Sequence, residues 1–139
     1  MAARCGVTTV LGQTERVPFE YFVVRCMPRV DRGEFVNVGV VVYSQQAGFL
    51  GARGEVVPER LAALDPAADL EAISAALATI EAVCRGDEAV GEAAAGSMGK
   101  RFGWLAAPRS TALQPGPVHG GLTTDPAAEL TRLLDTLVR

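Results

Sequence analysis

One histidine, one tryptophan, one lysine and three cysteines are all that this chain of 139 residues has of those types, and each scarcity excludes something. Cys5, Cys26 and Cys84 are odd in number and far apart, with no Cys-x-x-Cys pair and no Cys/His cluster. Neither a disulfide framework nor a zinc site is signalled, and the sequence implies no metal and no cofactor. Free cysteine is commonly a small buried hydrophobe, so Cys26 and Cys84 are expected in the core and the chain in a reducing compartment, the cytoplasm. No run of about 18 apolar residues occurs, which excludes a transmembrane helix. The stretch from Met1 to Pro18 lacks the apolar segment of a secretory signal. Residues 1–16 read as a poorly ordered extension, followed by a single domain over 17–139.

What is present belongs to a globular α+β protein. Apolar residues make up 49% of the chain and charged residues 21%, close to the globular average. The net charge of −3 is unevenly spread: residues 55–92 hold nine acids and two bases, while residues 93–121 hold Lys100, Arg101 and Arg109 and no acid. An acidic total argues against a dedicated nucleic-acid binder, whose affinity rests on neutralising phosphates. A local anion site remains compatible with it.

Phe19–Pro28 and Glu34–Tyr43 are aromatic and β-branched and predict two strands. The Asp31-Arg32-Gly33 turn between them, about five residues long, makes them an antiparallel hairpin. A third strand is expected at Phe49–Arg53, after the Gln45–Gly48 turn. Beyond it the period changes. A short helix is expected at Glu59–Leu64. Asp65-Pro66 then looks like a cap and first helical residue, ahead of Leu70, Ile73, Leu77, Ile80 and Cys84 at helical spacing. Gly86 closes that helix. Residues 86–99, rich in Gly, Ala and Glu, predict a mobile loop with room for a helical turn. Thr111–Gln114 and Val118–Leu122 read as short strands, and Asp125-Pro126 caps a last helix with Leu130, Leu133, Leu134, Leu137 and Val138 facing inward. The expected architecture is a small, mostly antiparallel sheet, an N-terminal hairpin plus short later strands, packed against two main amphipathic helices. An exposed edge strand in so small a sheet admits a homodimer.

Two polar segments interrupt the apolar strands. The first runs through Arg25, Arg29, Arg32, Glu34, Asn37 and Gly39. Alternation puts Phe35, Asn37, Gly39 and Val41 on one face. Asn37 is the anomaly, since a buried amide without a partner costs roughly 1–3 kcal/mol. Arg25 nearly opposite could supply that partner, or Arg25 could pair with Glu34 while Asn37 and Glu34 brace the turn. The second segment holds Arg109, Ser110, Thr111, Gln114 and His119. Arg25, Arg32, Asn37, Arg109, Ser110, Thr111, Gln114 and His119 are the candidate ligand-binding residues, with an anion as the expected ligand. His119 and Glu34 are the candidate acid–base pair. No Gly-x-Ser-x-Gly elbow surrounds Ser110, and no Gly-Lys-Ser/Thr follows Gly120-Gly121. Phe102, Trp104 and Phe49 are expected in the core, where an aromatic platform for a base is the competing reading.

With Tyr21–Pro28, Arg32-Gly-Glu-Phe-Val-Asn-Val-Gly-Val-Val, Arg101-Phe-Gly-Trp-Leu, Pro108-Arg-Ser-Thr, Gln114-Pro-x-Pro-x-His and Asp125-Pro-x-x-Glu-Leu, the chain resembles a bacterial family called domain of unknown function 3037. The resemblance spans Val17 onward. It implies no activity and no catalytic residue. It does imply a partner, because genes of that family often lie beside genes for HipA-like kinases. Two functions follow as expectations: a non-catalytic binding or accessory protein working with such a kinase, or a small enzyme acting on an anionic or phosphate-bearing substrate. In the enzyme, Arg25, Arg109 and Lys100 would hold the anion while His119 and Glu34 exchange protons.

Overall fold

Aromatic and β-branched residues build the first strand of the computed structural model, which describes residues 15–139. This strand, β1 (Val17–Cys26), pairs antiparallel with β2 (Val36–Ser44), and β2 with the edge strand β3 (Phe49–Gly54). The other edge of β1 is shared by two short antiparallel strands: β4 (Leu113–Pro115) beside Val24–Cys26, and β5 (His119–Thr123) beside Val17–Tyr21. The result is a five-stranded antiparallel sheet with β1 and β2 at its centre.

Alternation along β1 and β2 sends side chains to both faces, and both are covered. Phe22, Val24, Cys26 and Val41 pack against Leu61 of α1 (Pro58–Leu64), Ile73 and Leu77 of α2 (Leu70–Arg85), and Phe102 and Leu105 of α3 (Met98–Ala106). Phe19, Val40 and Val42 pack against Leu130, Leu133 and Leu134 of α4 (Pro126–Leu137). The chain is therefore α+β, with α2 and α4 as the two long helices on opposite faces. Cys26 and Cys84 are both buried. No described helix is long and apolar enough to cross a membrane. Cys5 and nearly all of the expected extension 1–16 lie outside the described residues.

Several expectations need correction. The hairpin loop runs from Met27 to Phe35, longer than the turn signal suggested, because the strands stop at Cys26 and Val36. Within it Arg29 pairs with Asp31 and Arg32 with Glu34. Asp65-Pro66 ends α1 instead of starting α2. The Asp65 side chain closes a turn on Ala67 N, and Asp69, accepting from Ala72 N, caps α2. The stretch expected as a loop with a helical turn contains two single-turn 3₁₀ helices, Glu88–Val90 and Glu92–Ala94, and runs into α3, which was not expected and which Ser97 caps. Alternation also fails at one place in β2. Val24 opposes Gly39 and Arg25 opposes Asn37, which leaves Val38 as the extra residue of a β-bulge. Gly39 therefore shares the α2 face with Val41, while Asn37 turns to the α4 face and donates to Leu137 O at 3.0 Å. A Cβ on Gly39 would meet Arg53 O at 3.0 Å and Leu77 at 3.5 Å. Its missing side chain thus makes room for the sheet and α2, with no ligand required.

Candidate functional site

The second polar segment converges where α2, α3 and β4 leave a gap over β1. Small side chains open it: Ala76 lies on the flank of α2, and β4 is only three residues long. Phe22 and Val24 form the floor, Ala76, Thr79 and Ile80 one wall, and Trp104, Leu105 and Leu113 the other. The recess has a volume of about 240 Å³. Arg109, Thr111 and Gln114 line it, so three of the expected ligand-binding residues meet here.

Arg109 is held by the helix before it. Its Nη1 donates to Leu105 O at 3.2 Å and its Nη2 to Trp104 O, so it caps the carbonyl end of α3, where positive charge is favoured. Its guanidinium lies 4.3 Å from the Trp104 ring centroid, a cation–π stack. Partial burial pushes its pKa below the usual arginine range. Trp104 is 47% exposed and belongs to this rim, which corrects its expected place in the core. Arg101, Phe102 and Leu105 form the buried stripe of α3, and Trp104 falls to one side of it. Thr111 Oγ1 donates to Leu113 O, and Gln114 Nε2 to Thr111 O. Ser110 is exposed beside them.

The first segment lies elsewhere. Arg25 and Asn37 do face each other across the ladder, yet no hydrogen bond joins them, because Asn37 is taken by Leu137. Arg25 stacks instead on Phe35, 4.3 Å from its centroid. Its buried Nε has no hydrogen-bond partner among the described residues. Gly116 allows this placement, since a Cβ there would stand 3.2 Å from Nε and from Val23 O. Arg32 and Glu34 are consumed in their own ion pair at the exposed loop, and that hydrogen bond lowers the Glu34 pKa below the usual carboxylate range. His119 opposes Tyr21 across β1–β5, their rings 5.2 Å apart. Tyr21 and Arg25 are four positions apart on one strand, so the backbones that carry His119 and Arg25 stand roughly 13 Å apart. Glu34 lies farther still, beyond the end of β2. Among the described residues no three His, Cys, Asp or Glu side chains gather where a metal could sit.

Sequence reasoning missed the α2 contribution, Ala76, Thr79 and Ile80. Only Ile80 belonged to the recognised apolar stripe. The available signal was the run of small residues beside that stripe, which leaves space that a larger side chain would fill.

A family described as a protein of unknown function (DUF3037) matches residues 21–138. No curated protein and no solved structure matches the chain.

Proposed function

Because the chain belongs to the DUF3037 family, whose description carries no activity, we propose from its own residues that it is a non-catalytic binding or accessory protein. Its proposed partner is the HipA-like kinase that the family resemblance implies. The observation that carries this reading is the placement of the only acid–base candidates. His119 sits beside Tyr21 at the middle of β1, and Glu34 sits past its far end, bound to Arg32. A carboxylate whose pKa is held down is also a weaker base. The enzyme reading needs Arg25, Arg109, His119 and Glu34 around one substrate, and this arrangement supports it less. Apolar groups left in water support an interacting surface: Val30 and Phe35 share the hairpin loop and are both exposed.

Co-expression with a HipA-like kinase tests the proposal. The expected result is a complex that survives affinity purification and gel filtration and is weakened by Phe35→Ser. A protein that elutes as a monomer beside the kinase, and that turns over phosphate esters by itself, overturns it. A homodimer through the β5 edge is the competing association, and the same column run reports it.

A further inference from the structure

The recess between α2, α3 and β4 makes two different demands on an occupant. Its walls are hydrocarbon, from Phe22, Val24, Ile80, Leu105 and Leu113. Its rim carries one charged group, Arg109, and no carboxylate lines it. Thr111 and Gln114 are engaged with neighbouring backbone carbonyls. Arg109 is only partly engaged. A guanidinium has five N–H donors, and two of them are directed at the Leu105 and Trp104 carbonyls. No acidic side chain pairs with it among the described residues. The cation has thus lost part of its water without gaining an anion. It is also already ordered by Trp104 and by the end of α3, so a bidentate partner meeting it sacrifices little further side-chain freedom.

We propose that this recess binds a small organic carboxylate, its apolar body against the hydrocarbon walls and its carboxylate on Arg109. The volume of about 240 Å³ corresponds to about eight waters at ~30 Å³ each. That is room for one ring with a short chain, or for a medium-length acyl chain. The proposal goes beyond the partner reading and is tested without a second protein, so failure of one leaves the other standing.

Trp104 is the only tryptophan of the chain and lies on the rim, so its emission responds to an occupant of this recess; the indole also borders a shallow hollow beside Glu92, Ala93 and Lys100, and the Arg109 and Ala76 variants separate the two. The full chain is titrated with phenylbutyrate, with phenylbutyramide as the uncharged twin and acetate as a headgroup without a body. The expected result is a saturable change with phenylbutyrate, binding about tenfold or more weaker for the amide, the usual effect of losing a charge-assisted hydrogen bond, and no saturation with acetate. Arg109→Gln should bring acid and amide within about twofold of each other, the charge-assisted bonds being gone. Because Arg109 also ends α3, Arg109→Lys provides a second reading: the charge stays, and so should the preference for the acid. Ala76→Leu, which fills the recess and leaves Arg109 intact, should abolish the change. Equal affinity for acid and amide, undiminished binding by Ala76→Leu, or no saturable response to phenylbutyrate overturns the proposal.

Discussion

Arg101 and Arg109 perform the same chemical task in two settings. Arg101 ends α2: its Nη1 donates to Val83 O at 3.0 Å and Cys84 O at 2.8 Å. Arg109 ends α3 by donating to Leu105 O and Trp104 O. Both place positive charge where a helix presents unpaired carbonyls. Arg101, however, is 9% exposed, and its Nε has no partner among the described residues. Gly86, in the left-handed conformation at φ 74°, leaves the space it needs, since a Cβ there would stand 3.1 Å from its Nη1. Arg109 opens onto a recess. The same cap is a structural pin where water is excluded and an available cation where water enters. Burial, not residue type, separates the two roles.

Replacing Arg101 tests the sealed end and should give the largest effect. Arg101→Met keeps an apolar stem of similar length but leaves the Cys84 carbonyl without its donor inside the core, while Val83 O keeps the Gly86 N–H at 3.0 Å. An orphaned buried acceptor costs about 1–3 kcal/mol, so a loss of roughly 2–3 kcal/mol is expected, read as a fall in Tm on the order of 10 °C. Removing an unpaired buried cation works in the opposite direction by lifting its desolvation cost. A variant more stable than the parent would show that this second effect dominates and that the cap is a burden.

The Cys84 thiol sharpens the contrast without changing a residue. Burial pushes its pKa up from 9.0 to about 12, with Arg101 nearby pulling modestly the other way. In the unfolded chain the thiol ionises near its ordinary value, while in the folded chain it stays protonated. Stability from this group is therefore complete below about pH 9 and is lost between 9 and about 12. The slope is about 1.4 kcal/mol per pH unit for one proton. Denaturant midpoints measured across that window should fall with pH, and Cys84→Ala should flatten the fall. A thiol reagent at neutral pH should modify Cys84 only as fast as the protein opens. Modification at the rate of a free thiol would mean that this end of α2 is not sealed.

A strong period or an unambiguous cap could be read directly from the chain: the Leu70–Cys84 stripe for the first, and for the second Asp125-Pro126 ahead of α4, where Asp125 accepts from Ala127 N and Ala128 N. Where two signals competed, local reading chose wrongly. Asp65-Pro66 and Asp69 can each start a helix, and the choice fell to Asp69 because Leu61 had already buried α1 up to that point. Helix α3 was invisible for a different reason. Gly99 and Gly103 dilute its helix propensity, and it forms because Phe102 and Leu105 pack onto α2 and the sheet while Ser97 caps it. The site was half legible. Arg109, Thr111 and Gln114 announced themselves as polar groups among apolar ones and do meet. Arg25, Asn37 and His119 carried the same signature, but alternation along β1 sends Arg25 and Tyr21, the partner of His119, to the face opposite Phe22 and Val24, and the bulge turns Asn37 to that face too.

The open end should yield the smallest change in stability and the clearest spectroscopic one. In Arg109→Gln the Leu105 and Trp104 carbonyls lose a donor that water can replace at the rim, so no buried acceptor is orphaned. The expected loss is about 1 kcal/mol or less, the net value of an exposed hydrogen-bond exchange, well below that of Arg101→Met. The indole of Trp104 loses the guanidinium stacked on it and gains water, so its emission should move to longer wavelength. Arg101→Met removes a guanidinium that is bonded to Val83 and Cys84 and not stacked on the indole, so it should leave the wavelength unchanged while the protein remains folded. The two variants together form a crossed test: one shifts Tm and not the emission, the other the emission and hardly Tm. If Arg109→Gln destabilised the protein as much as Arg101→Met, Arg109 would be a second structural pin. The recess would then have no cation free to receive a ligand.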